Sequence, residues 1–197
     1  YGRVLAGGML AALVAFGGYL YWDHRQAEAA GVEAERFSAV IDQVEGGQAA
    51  AASKDLQALA REGSPAYRAI ALIQESNQLA AEGKVADAAK LLGQVAADSK
   101  VDQSLRDLAL IRQTALELDS VKPEAVIARM QPIVSQKDPQ SSWFASAAEL
   151  TAVAHYQLGQ MDKAGALFAQ IAKVEGVAPS LKSRAVQMAG MLGVDAV

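Results

Sequence analysis

One uncharged apolar run constrains this chain more than any other part of its sequence. Residues Val4 to Trp22 read VLAGGMLAALVAFGGYLYW, and charged residues lie on both sides of them, Arg3 before and Asp23 after. A helix rises about 1.5 Å per residue, so this run would span about 28 Å, close to the roughly 30 Å hydrocarbon core of a bilayer. Aromatic residues gather at its C-terminal end, as they do at membrane interfaces. We therefore predict a transmembrane helix, with everything after it on one side of the membrane.

A cleaved signal peptide is the alternative interpretation of this run. Ala27-Glu28-Ala29 has the small-x-small form that signal peptidases prefer. The apolar run is longer than the usual 7 to about 15 residues of a signal peptide, which favours a retained anchor. The sequence begins at Tyr1 without an initiator methionine, so we expect a short tail to precede it. Arg3 and Arg25 balance each other across the run, so the positive-inside rule leaves the orientation open.

Small residues recur within the apolar run. Gly7, Ala11 and Ala15 follow one another every four positions, and Gly18 comes three positions later. Such a stripe lets a second membrane helix approach closely, which predicts a helix-packing face. Glycine and alanine are also frequent in membrane helices of every kind, so both interpretations stay open.

Composition excludes several classes of function for the remainder of the chain. The sequence carries 18 Lys and Arg against 22 Asp and Glu, a net charge of −4. Nucleic-acid binding proteins draw most of their affinity from basic patches, so we expect no nucleic-acid partner. There is no cysteine, which rules out disulfides and thiolate sites. The roughly 170 residues beyond the apolar run suffice for one domain with its own core.

Helical periodicity follows the apolar run directly. Phe37, Val40, Ile41 and Val44 occupy one face of a helix, at i, i+3, i+4 and i+7. We divide the chain into a transmembrane anchor (1–22), a helical stalk with the first repeat helix (23–46) and a helical repeat domain (47–197). Gly31 is expected to be a hinge within the stalk. Further helices are predicted at 102–118, 123–135, 141–158, 162–174 and 179–192, and the fold class is all-α.

The breaks between these helices recur at a nearly constant interval. Gly47, Gly83, Asp119 and Gly159 are separated by 36, 36 and 40 residues. Recurrence at such a period is typical of helical repeats, in which antiparallel helix hairpins stack on one another. Small residues are needed where two helices cross, and large apolar residues fill the space beside them. The residues expected to pack the repeats are Gly83, Ala88, Leu92, Gly159, Ala164 and Phe168.

Residues 154–168, AHYQLGQMDKAGALF, resemble a tetratricopeptide repeat. In that repeat Leu-Gly closes the first helix, an alanine packs between the helices, and an aromatic residue anchors the second. The unit around Asp119 departs from the pattern, because Ser120 to Pro123 take the place of the glycine. We predict a TPR-like α-solenoid, and an ordinary helical bundle is the alternative.

The chain as a whole is similar to the TPR-21 family, to judge from segments such as SPAYRAIALIQ, SLRDLALIRQTAL and SLKSRAVQMAGMLG. That family includes the bacterial ancillary subunit of the SecYEG translocon. The resemblance implies an anchor in the inner membrane and a periplasmic helical domain. It also implies association with the translocon and with membrane-anchored chaperones.

Two classes of function remain for a chain of this kind. One is a periplasmic binding module beside the protein-export channel. The other is a structural accessory subunit of a different membrane complex, for instance a respiratory or photosynthetic one. Its two histidines, His24 and His155, lack metal-ligand spacing, so we expect no enzyme, cofactor, metal or small-molecule substrate. Trp143 and Phe144 form a possible partner surface, although neighbours on a helix point about 100° apart and one of them should pack in the core.

Overall fold

The computed structural model describes residues 2–136 and 143–196. All regular secondary structure in these two ranges is helical, which confirms the all-α class. The helices are α1 (Gly2–Glu45), α2 (Ala49–Glu62), α3 (Pro65–Ala81), α4 (Val85–Ala97), α5 (Gln103–Leu116), α6 (Pro123–Val134), α7 (Phe144–Gln157), α8 (Met161–Lys173) and α9 (Pro179–Met191).

Helix α1 is continuous from the apolar run into the first repeat. Gly31 lies in its interior and does not act as a break, because one glycine weakens a helix by only about 1 kcal/mol while its neighbours keep the hydrogen-bond ladder intact. The side chains of residues 2–15 lie outside those that the structure describes, and Gly7, Ala11 and Ala15 are among them. Across the described residues, no helix combines the length and the apolar character that crossing a membrane requires.

Glycines in the left-handed conformation end α1, α3 and α7. Gly47, Gly83 and Gly159 have φ values of 73°, 78° and 71°. After α3, the Gly83 N–H donates to the Ala80 carbonyl at 3.0 Å and the Lys84 N–H to the Leu79 carbonyl at 2.8 Å. This pair of bonds satisfies carbonyls that the helix end leaves free. The next helix then begins two residues after each of these glycines.

The third junction lies at Val121 instead of Asp119, which corrects the predicted register. Helix α6 begins at Pro123, two residues after Val121, as α4 begins two residues after Gly83. Asp119 sits inside a turn in which the N–H groups of Ser120 and Val121 both donate to the Glu117 carbonyl at 2.9 Å. That turn needs no left-handed residue, so the glycine signal is missing. Val121 lies 38 residues from both Gly83 and Gly159.

Counting from these four junctions identifies the same buried positions in every helix pair. Each of them is at most 3% exposed, so a single packing register runs through the repeats. The equivalent residues are Val40, Ser76, Thr114 and Ala152 at seven before the junction, Ala52, Ala88, Val126 and Ala164 at five after it, Leu56, Leu92, Met130 and Phe168 at nine after it, and Leu59, Val95, Ile133 and Ile171 at twelve after it.

The chain forms two compact units, and the first comprises residues up to Ala71. Its core joins α1 and α2 to the start of α3 through Val40, Ala52, Leu56, Leu59 and Ala71. At its edge, a Glu33 carboxylate oxygen accepts a hydrogen bond from the Ser64 N–H at 2.7 Å. This bond satisfies one of the free N–H groups before α3. The Phe37 and Tyr67 rings lie 6.2 Å apart and add an aromatic contact.

The second unit runs from Leu72 to the C-terminus. Within it α4 packs on α5, and α6 to α9 pack each on the next. Phe168 belongs to the apolar cluster that α7, α8 and α9 share. The chain after α9 folds back over α8, where a Cβ built on Gly165 would come within 2.6 Å of Val194. Gly165 is therefore needed for this close approach.

The corrected register predicts the stability cost of two identical substitutions. Met130→Ala should destabilise the second unit by about 2–5 kcal/mol, because Met130 is 0% exposed and its loss leaves a cavity. Met191→Ala is the matched control, and it should change stability by less than about 0.5 kcal/mol because Met191 is 77% exposed. Urea unfolding of the full chain in detergent measures both. Similar losses in the two variants would contradict the register.

The left-handed junctions predict a contrast between two glycines with open space around them. A Cβ on Gly159 or on Gly190 would meet nothing within 4 Å, but only Gly159 has a positive φ. Gly159→Ala should therefore cost about 1–2 kcal/mol through backbone strain alone. Gly190→Ala should be neutral or stabilising by up to about 1 kcal/mol. Comparison of the two unfolding midpoints tests this, and an equal shift in both would refute it.

Candidate functional site

The two aromatic residues proposed as a partner surface are both engaged within the second unit. Phe144 is 2% exposed and belongs to the core that α7 and α8 share, so it is not a surface residue. Trp143 is half-buried against the cluster that contains Ile111 and Met130. Its Nε1 donates a hydrogen bond to Ser104 Oγ at 2.9 Å. Phe144 therefore offers no open face, and Trp143 is partly exposed beside α5.

The predicted repeat residues are placed where two helices meet. Ala88, Leu92, Ala164 and Phe168 are all at most 2% exposed, and the glycines of the two junctions have positive φ. The four buried side chains form the scaffold of the repeats, and the two glycines lie in exposed turns. Leu92 has a second position as well, because it also lines the floor of a groove.

That groove has a volume of about 280 Å³ and lies in the second unit. Helices α3 and α5 form its walls, and α4 forms its floor. Its surface is mainly apolar, with one cationic group and one amide. The lining residues are Ser76, Asn77, Ala80, Leu92, Arg112, Ala115 and Leu116.

A chain of side-chain hydrogen bonds crosses the groove from one wall to the other. Asn77 Nδ2 donates to Gln74 Oε1 at 2.9 Å, which fixes the orientation of the Asn77 amide. Arg112 Nη1 then donates to Asn77 Oδ1, also at 2.9 Å. In the described part of the chain, no carboxylate lies within ion-pair distance of Arg112. A neutral amide oxygen is thus the hydrogen-bond partner that the described residues give to the guanidinium.

The register shows which groove residues depart from the repeat pattern. Six residues before the junction, Asn77 stands where the first and fourth helix pairs have Ile41 and Val153. Three before the junction, Ala80 stands where the fourth pair has Tyr156. A polar residue and a small one therefore stand where those pairs have larger apolar residues, while the third pair has Ala115 and Leu118 at these two positions. Departures from a local rule of this kind concentrate at functional sites.

The sequence interpretation missed this groove. Asn77 and Arg112 are 35 residues apart, and neither belongs to a motif by itself. The only available signal was a polar residue at a repeat position that is otherwise apolar or alanine. That signal becomes visible only after the third junction is placed at Val121.

A second, smaller pocket of about 200 Å³ lies between α1 and α2 in the first unit. Its rim carries charges of opposite sign, Arg36 and Asp55, over an apolar surface. Asp55 already accepts a hydrogen bond from Gln43 Nε2 at 2.9 Å. Because both charges lie on one rim, this pocket favours neither an anionic nor a cationic ligand. No group of three or more potential metal ligands occurs among the described residues.

Comparison with known proteins gives one positive result. The family model of the tetratricopeptide repeat-like domain matches residues 1–189, which is nearly the whole chain. Neither the curated proteins nor the solved structures give a match. The matched range includes every helix junction and the groove.

Proposed function

We propose that this chain works by binding other proteins, because it belongs to the TPR-21 family of tetratricopeptide repeat-like domains. Stacked helix pairs present extended surfaces on which peptides and proteins bind. The observation that carries the proposal is the groove of the second unit, where Asn77 and Ala80 depart from an otherwise regular scaffold. Binding without catalysis is the function that this arrangement supports best.

We also propose that α1 anchors the chain in a membrane. Phe16, Tyr19, Leu20, Tyr21 and Trp22 are each between 49% and 63% exposed. Successive residues point about 100° apart, so this apolar surface surrounds the helix on every side. Such a helix requires either a protein core or a lipid environment.

The end of the apolar segment has the chemistry of a membrane interface. Arg25 lies 5.7 Å from the centroid of the Tyr21 ring, and its Nε donates to the Tyr21 hydroxyl at 3.2 Å. A cation held beside an aromatic ring suits the headgroup region, where one end of the pair is apolar and the other is wet. This supports a boundary of the bilayer close to residues 21–25.

The proposed location is the bacterial inner membrane, with residues 30–197 in the periplasm. The proposed partners are the Sec translocon and periplasmic chaperones that share the membrane with it. Support comes from the family resemblance, together with the continuity of α1 from the apolar segment into the first repeat. A structural role in a respiratory or photosynthetic complex is the competing proposal.

A reporter fusion tests the topology. Alkaline phosphatase is active only after export, so its fusion after the last helix should be active in cells. A cytoplasmic reporter fused at the same position should be inactive. The opposite pattern would place the repeats in the cytoplasm and exclude a periplasmic role.

Co-purification tests the partner. A tagged full chain, extracted from membranes in mild detergent, should retain translocon subunits and membrane-anchored chaperones in mass spectrometry. Recovery of a respiratory or photosynthetic complex would favour the structural role instead. Gly7→Leu with Ala11→Leu should abolish recovery if the anchor makes the contact, because bulky residues prevent close helix approach. Leu13→Ala is the control within the same segment. Recovery that survives the double substitution assigns the contact to the repeats.

A further inference from the structure

We propose that the outer face of the first helix pair binds a second copy of this chain, so that the protein is a homodimer in the membrane. This outer face consists of exposed residues, namely Val32, Arg36 and Ala39 on α1 with Asp55 and Ala58 on α2. The proposal rests on the membrane anchor proposed above. Such an anchor holds two copies in one plane and thereby raises their effective concentration.

In the later helix pairs, the corresponding face is a packing surface. Ala39 lies eight residues before its junction, and its equivalents in the third and fourth pairs are Gln113 and Thr151. Gln113 Nε2 lies 3.2 Å from a Cβ built on Gly93 in α4, the second helix of the preceding pair. Thr151 is 3% exposed. Ala39 is exposed instead, since the described chain has no repeat helix before α1. The face that joins one pair to the next is therefore open on the first pair.

The charges of the outer face are complementary to those of a second copy. Arg36 and Asp55 lie on one rim of the pocket of about 200 Å³, above an apolar floor. In the part of the chain that the structure describes, no carboxylate lies within ion-pair distance of Arg36. Asp55 accepts its hydrogen bond from the uncharged Gln43 amide.

A two-fold axis uses both of these charges. In a dimer of this symmetry, residue i contacts residue j of the partner, and j contacts i in return. Arg36 of each copy therefore pairs with the partner's Asp55, and the two apolar floors meet between the ion pairs. A partner of one charge sign would instead place like charges together at Arg36 or at Asp55, which costs affinity.

Helix α1 continues the outer face towards the apolar segment. Successive residues turn by about 100°, so Gly18 comes about five turns before Arg36 and lies on the same side of the helix. Val32 is 52% exposed and lies about 40° from Arg36. The sequence positions of Gly7 and Ala11 fall within about 20° of the same line. Two parallel copies of α1 therefore meet along one line. This length is needed, because a specific interface buries roughly 800 Å² on each partner.

Disulfide crosslinking of the full chain in its membranes tests the dimer. The chain has no cysteine, so an introduced thiol reports only on its own surroundings. Val32→Cys lies on the outer face, and oxidation with copper phenanthroline should link two copies. Ala34→Cys is the matched control, because it is also exposed but lies on the opposite side of α1. Its yield of dimer should be at least about fivefold lower, since its thiols are too far apart to bond.

Charge exchange assigns the contact to Arg36 and Asp55. Arg36→Asp and Asp55→Arg each convert both ion pairs of the dimer into like-charge contacts. Each should therefore lower the dimer yield of Val32→Cys at least about fivefold. The double variant restores opposite charges across the two-fold axis and should recover the original yield. A role of either residue in folding alone would not produce this recovery, and circular dichroism checks that each variant folds.

The outcomes separate this proposal from the proposed function. Equal yields from Val32→Cys and Ala34→Cys, no dimer from either, or a product that contains a different protein overturns the homodimer. Yields unaffected by the charge reversals, or not recovered in the double variant, also overturn the proposed face. Release of the chain from membranes by alkaline carbonate rejects the anchor itself. Recovery of the membrane partner by a chain that forms no dimer leaves the protein-binding function standing.

Discussion

The packing of this chain depends on where each helix pair turns. In three of the four pairs a glycine with positive φ ends the first helix, and the second helix begins two residues later, as at Gly47, Gly83 and Gly159. The position of the turn thereby determines which side chain lies where the two helices cross, which is five residues after the junction. Alanine at that position is fully buried in three of the four pairs, since a small residue lets the helices approach. The other buried positions lie at fixed distances in sequence from the same junction.

The third pair shows how far the sequence can predict such a register. All-helical structure and repeated pairs follow from periodicity and glycine, and both agree with the structure. At the third junction the turn is closed by the Glu117 carbonyl and Pro123, so no glycine marks it. Counting from Asp119 is wrong by two residues, which on a helix is a rotation of about 200°. It would bring Glu124 and Ala128 to the core in place of Val126 and Met130.

The groove was less predictable than the scaffold because it depends on contacts between distant residues. Helical period alone predicts that Trp143 and Phe144 cannot both face inward, but the choice between them depends on which side of α7 meets α8. Likewise, nothing local distinguishes Asn77 from any exposed amide. Its contact with Arg112 forms only in the folded chain, where α5 brings the guanidinium to the Asn77 amide oxygen. Asn77 indicates a site because it differs from the residues at the same position in the other helix pairs. Those positions can be matched only when the junction of every pair is placed correctly.

The continuity of α1 has a mechanical consequence for the proposed membrane anchor. Phe37, the first ring of α1 that contacts α3, follows Trp22 by fifteen residues, which in a helix is about 22 Å. The Glu33 bond to Ser64 holds this part of α1 against the start of α3. A flexible linker of fifteen residues would have a similar average span of about 20 Å, but it would fluctuate widely in length and direction. If α1 is the proposed membrane anchor, the first unit therefore stays at a nearly fixed height above the bilayer. It would then reach only partners whose own surfaces lie at that height.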